Sequence, residues 1–230
     1  MSYLPCIEIE PTNKANSAII WLHGLGASGD DFAPIVPQLK LDSSIAMRFI
    51  FPHAPSRAIT FNGGAAMPAW YDFVINGVDR EVSKDDLKVT TQQILDLVQR
   101  EIDRGIPSDR IMLAGFSQGG AIAYQVAMSW NQMVSNGSEE GKPLAGLMAM
   151  STYIAEEVVV AESRLAKGFP IHIFHGTQDQ VVPESLGLSA KDLLEANGFA
   201  PKYSVYVMEH SVCISQIRDM ATFINECLSN

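Results

Sequence analysis

The pentapeptide Gly115-Phe116-Ser117-Gln118-Gly119 has the spacing of a nucleophilic serine on a tight strand-to-helix turn. The strand-like run RIMLA precedes it, and the small-residue segment GGAIAYQVAM follows as a helix start. Glycines two residues to either side remove side chains that would collide across such a turn. The serine oxygen is then lifted above the sheet, with the free N–H groups of a helix N-terminus behind it. Those groups suit the oxyanion that forms when a hydroxyl attacks an ester carbonyl. A serine needs a base, and the base needs an orienting group. Asp179, in IHIFHGTQDQVVP, and His210, in YSVYVMEHSVC, follow Ser117 in the order such sites use, each just past an expected strand.

The other histidines compete poorly for the role of base. His175 precedes Asp179 and sits nearer the strand end, where a local hydrogen bond in a loop is the simpler role. His172 falls inside a strand and reads as packed. His53 opens the turn PHAP and suits a structural hydrogen bond. His23 stands before the glycine-rich stretch HGLGASGDD, where it would fix that loop. The same loop should supply half of an oxyanion hole: the Leu25 N–H, paired with the Gln118 N–H.

The elements that must position these groups alternate along the chain. Strands are expected over 18–22, 46–51, 110–114, 144–150, 171–174 and 203–207. Helices are expected over 31–39, 85–104, 118–130, 185–196 and from about Cys213 to Leu228. Near-continuous apolar strands alternating with amphipathic helices predict an α/β domain with a mostly parallel sheet covered on both faces. In such a sheet the strand C-termini share one edge, so residues 117, 179 and 210 can meet there. Residues 52–75 read as one long loop rich in Pro, Gly and aromatics, with Gly63-Gly64 as its hinge. Its apolar members Ile59, Phe61, Met67 and Trp70 are candidates for binding an acyl chain. Against that stands the bulk of Trp70 and Tyr71, which fits buried anchors equally well. The polar stretch 136–143 reads as a surface loop.

Length and composition limit the alternatives. The 230 residues suit a single domain over 1–230 with a substantial core. A net charge of −10 argues against nucleic-acid binding and against attraction to anionic membranes. No apolar run is long enough to span a bilayer, and no signal peptide is expected. The three cysteines, Cys6, Cys213 and Cys227, lack metal-site spacing; their odd number fits reduced thiols in the cytoplasm.

The stretches LHGLGASGDDF, FPHAPSRAITFNGGAAMPAWYDF, GIPSDRIMLAGFSQGG, HGTQDQVVP and MEHSVC together resemble the acyl-protein thioesterase/lysophospholipase-like carboxylesterase family. The likeness runs in order over nearly the whole chain, and GFSQGG, PHAP and AWYD are far more specific than G-x-S-x-G alone. It implies an α/β-hydrolase fold with no large lid domain, hydrolysis of esters and thioesters through an acyl-serine, no cofactor or metal, and a homodimer. It puts Ser117, Asp179 and His210 on the family's triad positions and Leu25 and Gln118 on its oxyanion positions; near the acyl site Tyr153 stands where relatives often have a different residue, commonly aromatic. The chain departs from the family in the long stretch between the nucleophile helix and the next strand, and in Glu209 beside His210, which would favour imidazolium only if it faced the ring.

The expected function is a serine esterase acting on short to medium acyl esters. The alternative is a long-chain acyl-protein thioesterase or lysophospholipase, which would share every catalytic residue. Acyl transfer to an acceptor other than water is chemically close. A non-catalytic hydrolase scaffold that only binds ligands stands further off, since all three triad residue types are present.

Overall fold

The computed structural model describes residues 3–76, 79–137, 141–156, 160 and 168–229. Part of the expected surface loop, residues 138–140, lies outside the described residues. Among those described, a seven-stranded sheet has the order β1-β3-β2-β8-β9-β10-β11. Its strands are β1 (Cys6–Ile9), β2 (Ser17–Leu22), β3 (Met47–Pro52), β8 (Ile111–Phe116), β9 (Gly146–Met150), β10 (Ile171–Gly176) and β11 (Lys202–Tyr206). Only β1 runs antiparallel, on β3; the other neighbours are parallel. The short edge strand β1 was not expected from the sequence.

The apolar alternation along each strand builds two cores. Ala18, Ile20 and Leu22 of β2, with Leu113, Leu147 and Ile173, pack under α1 (Lys84–Asp103), α2 (Gln118–Ser135) and α3 (Glu184–Ala196). Ile19 and Trp21, with Met112, Met148 and Phe174, face α4 (Ile214–Leu228) and the segment around Phe32 and Leu39. The sheet is therefore buried on both faces, which is why its strands lack polar alternation. Helix starts follow local chemistry: the Ser83 hydroxyl accepts the Asp86 N–H to cap α1, and Asp85 and Asp86 occupy its first turn. No helix among the described residues is long and apolar enough to cross a membrane.

Three local expectations are corrected. The segment expected as a helix over 31–39 forms two 3₁₀ turns, Gly29–Asp31 and Ala33–Gln38, because Pro37 cannot donate inside a helix. The nucleophile helix does not stop at 130 but continues to Ser135, absorbing part of the extra length before β9. The segment expected as a long loop over 52–75 holds an antiparallel hairpin, β4 (Ser56–Ile59) with β5 (Ala65–Pro68), and most of β6 (Phe73–Asn76), which pairs antiparallel with β7 (Asp79–Val82) beyond it. Gly63 and Gly64, at φ 65° and 84°, form the turn of the first hairpin.

Candidate active site

Ser117 leaves β8 with φ 54° and ψ −122°, a backbone conformation that non-glycine residues rarely adopt. Neighbouring bonds hold it there. Its N–H donates to Met150 O (2.9 Å), and its carbonyl accepts the Thr152 hydroxyl (2.6 Å) and the Gly120 N–H (2.9 Å). A Cβ on Gly115 would run into the Gly119 carbonyl, and one on Gly119 would sit 2.5 Å from the Leu22 and His23 carbonyl oxygens. The glycines of the motif thus let α2 start directly against β2 and β8.

Asp179 and His210 meet beyond the ends of β10 and β11. His210 Nδ1 lies 2.7 Å from Asp179 Oδ2. The other carboxylate oxygen accepts the Val181 and Val182 N–H groups at 2.9 and 2.8 Å. Burial pushes the Asp179 carboxyl upward, but the His210 hydrogen bond and the two N–H donors outweigh it and hold the acid below its usual range. An ionised Asp179 can only accept, so Nδ1 carries a proton, and in the neutral ring Nε2 is the nitrogen that can take another. The imidazole rests on the Phe116 ring at 4.6 Å between centroids. The residue between Gly115 and Ser117 therefore also shelves the candidate base.

Ser117, Gln118, Leu25 and His210 line one cleft of about 520 Å³. Among the described residues, the Leu25 and Gln118 N–H groups donate to no protein acceptor. Phe61 and Tyr153, both expected at the substrate site, line the cleft as well, along with Phe73, Ile75, Arg80 and Val181. The remaining substrate candidates do not line it. Ile59 and Trp70 are fully buried, and Met67 is half-buried with its sulfur accepting from Asn62. Trp70 is an anchor: its indole N–H donates to His23 O (2.7 Å), its backbone N–H to Gln118 Oε1 (2.8 Å), and its carbonyl accepts Thr90 Oγ1 (2.5 Å).

The rival histidines have structural partners. His23 Nε2 accepts the Ala54 N–H (3.1 Å), so Nδ1 donates to Gly24 O (2.7 Å) and ties the glycine-rich loop to β3. Burial pushes its pKa down, in keeping with a neutral ring. His53 accepts the Gly29 N–H, as expected of a structural bond. His172 stacks on Phe174 within its strand, 3.9 Å between centroids. His175 is not in a loop: β10 runs through it, it is fully buried, and its Nε2 donates to Val182 O (2.9 Å) beneath the Asp179 turn. Glu209 is exposed to solvent.

Two features escaped the sequence. The Gln118 side chain clamps α2 to the Trp70-Tyr71 segment, donating through Nε2 to Tyr71 O (2.7 Å) while its Oε1 takes the Trp70 N–H. Its identity within GFSQGG was the only available signal. The Tyr71 and Tyr153 hydroxyls hydrogen-bond each other at 2.8 Å, and burial pushes both phenols upward, so the pair stays protonated. No cluster of three or more His, Cys, Asp or Glu side chains able to hold a metal ion occurs among the described residues.

Comparison with known proteins agrees with the fold. Residues 5–228 match the family model described as Phospholipase/Carboxylesterase. The chain is 35% identical over 235 residues to acyl-protein thioesterase 1 of Neurospora crassa, covering 97% of this chain and 92% of that protein. Among solved structures, Arabidopsis thaliana SOBER1 superposes with a TM-score of 0.78 at 26% identity, covering 93% of this chain and all of that one. Zea mays acyl-protein thioesterase 2 shares the fold, with a TM-score of 0.83 at 22% identity over 98% of this chain and all of that one. Matched by the family model over residues 5–228 and by a relative at 35% identity over nearly its full length, the chain belongs to the phospholipase/carboxylesterase family of α/β hydrolases.

Proposed function

We propose that the protein is a serine hydrolase that cleaves carboxylic esters and thioesters of short to medium acyl groups through an acyl-serine intermediate. The observation that carries this is Ser117 on its strained turn, facing the same cleft as an imidazole whose Nδ1–H is committed to Asp179. His210 Nε2 takes the Ser117 proton as Oγ attacks the acyl carbonyl. The Leu25 and Gln118 N–H groups stabilise the oxyanion, and Asp179 stabilises the imidazolium. The imidazolium then protonates the departing alcohol or thiol. Water, deprotonated by His210, attacks the acyl-serine, and the acid leaves as Ser117 regains its proton.

Phe61, Phe73, Ile75 and Val181 give the acyl group an apolar wall. The long-chain thioesterase or lysophospholipase reading is favoured by one observation. Phe61 and Val181 are 52% and 59% exposed at the cleft, so apolar surface continues outward from it. Three free thiols fit action in a reducing cytoplasm, and the single-domain, homodimeric form expected from the sequence is part of the same proposal.

Hydrolysis of p-nitrophenyl esters from acetate to palmitate tests this reading, with Ser117→Ala as control. A maximum at short to medium chains is expected. Ser117→Ala should lose about a millionfold in kcat, as removal of the nucleophile does in a serine protease. A maximum at palmitate would select the long-chain reading, and undiminished turnover by Ser117→Ala would remove both.

A further inference from the structure

One wall of the cleft is the β6–β7 hairpin. Ile75 and Arg80 stand directly opposite one another in that antiparallel pair, so their side chains leave the same face. Phe73, two residues before Ile75, shares it. All three line the cleft. The apolar wall of Phe73 and Ile75 therefore ends at a guanidinium.

Arg80 is partly exposed, and its guanidinium has partners on other elements. Its Nη2 donates to the Val181 carbonyl at 2.5 Å, and its guanidinium carbon lies 5.1 Å from the centroid of the Tyr153 ring. Both anchors are themselves held. Tyr153 shares its hydroxyl with the buried Tyr71, and the Val181 N–H donates to Asp179 Oδ1. A continuous line of contacts, Tyr71–Tyr153–Arg80–Val181, thus links hairpin, floor and opposite wall. Arg80 forms no ion pair among the described residues, so its placement is not explained by pairing with a carboxylate elsewhere.

We propose that Arg80 is a specificity-determining residue: by bridging from β7 to Val181 over Tyr153 it closes the apolar trough and limits the length of acyl chain accepted. The proposal rests on the reading of the cleft as that of an esterase. An acyl chain reaching Arg80 must either turn out into water or displace the Val181 bond and desolvate part of the guanidinium against hydrocarbon. Short chains never meet that barrier. A longer chain gains about fourfold per methylene as long as apolar wall is available, and nothing beyond it.

The test is the chain-length series, kept below the aggregation concentration of each ester, on the wild-type protein, Arg80→Ala, Arg80→Met and Arg80→Lys, with kcat and KM read separately. The diagnostic is the kcat/KM ratio of decanoate to butyrate, which a merely structural role would not move. The ratio should rise at least about tenfold in Arg80→Ala, chiefly through a lower KM for decanoate, with a smaller rise in Arg80→Met. Arg80→Lys keeps the charge but loses the planar fork that reaches Val181 and faces Tyr153. It should shift the ratio in the same direction, and it carries the test if the other two fail to fold. An unchanged ratio in the folded variants, including a uniform loss at both chain lengths, overturns the proposal. Failure of the esterase reading looks different: the wild-type protein would then hydrolyse no ester at any length, and both proposals fall.

Discussion

Asp179 holds His210 with one carboxylate oxygen, at 2.7 Å from Nδ1, and is itself held through the other by the Val181 and Val182 N–H groups. The carboxylate thus fixes both the tautomer and the direction of the ring. Asp179→Asn keeps the shape but is no longer an anionic acceptor, so kcat should fall by about four orders of magnitude with the fold retained. A carboxyl held below its usual range adds stability above its unfolded pKa of about 3.9 and loses it as pH falls through the lower folded value. Thermal unfolding of the two proteins should therefore differ most near neutrality and converge under strong acid. A difference independent of pH would refute this electrostatic account.

Gly119 sits where the nucleophile helix packs against the end of β2. The 2.5 Å that would separate a Cβ from the Leu22 and His23 carbonyl oxygens leaves no room for Gly119→Ala unless α2 moves. Such a shift displaces both Ser117 and the Gln118 N–H. The variant should lose at least about a hundredfold in kcat/KM, the scale of a 1 Å misplacement, and unfold at a lower temperature. Activity near wild type would mean that the elbow is less constrained than the packing indicates.

His172 gives the fold an acid limit away from the cleft. Its ring lies between Phe174 and Phe223, with Nε2 on the Ser204 hydroxyl at 2.8 Å. Burial, aided by Lys202, pushes its pKa down to about 4. A histidine depressed in the folded state favours proton uptake by the unfolded chain, so stability is lost as pH falls from about 6.5 towards 4. The loss should be on the order of 2 kcal/mol, and His172→Gln should flatten the stability profile across that window. Denaturant unfolding at several pH values reads this directly; an equally steep profile in the variant would assign the limit to other groups.

Glu101 has a fully buried carboxylate on α1, 2.6 Å from Arg48 and about 3.1 Å from Arg100 and 3.0 Å from Arg104. It ties the helix to β3 and, through Glu8 and Glu10, to β1. Glu101→Gln would remove the one fully buried carboxylate shared by three partly exposed arginines, which keep Glu8 and Glu10, and should cost roughly 1–3 kcal/mol. Glu101 does not line the cleft, so kcat/KM per folded molecule should be unaffected. A parallel loss of activity at full folding would reveal a coupling between this network and the site.

Much of the molecule was readable because its cues are local. The run AIIWL is apolar throughout because both sheet faces are covered, and β2 forms at Ser17–Leu22. G-x-S-x-G is a steric statement about one turn, and the turn carries the positive φ it implies. Asp179 and His210 could be named because strand ends in a parallel sheet share an edge.

Where an apolar residue of an irregular segment points is decided by surfaces that exist only after folding. Trp70 and Phe61 were both candidates for the acyl site, Trp70 fitting a buried anchor as well. Tertiary packing buries Trp70 beneath His23 and Gln118 and leaves Phe61 at the cleft. The hairpin pairing that sets Ile75 beside Arg80, and the reach of Arg80 to Val181 101 residues away in sequence, have no local signature. Sequence periodicity determined the central parallel strands, the long helices and the faces they bury. Only the tertiary structure decided which side chains share a cavity, because that depends on the crossing of segments distant in the chain.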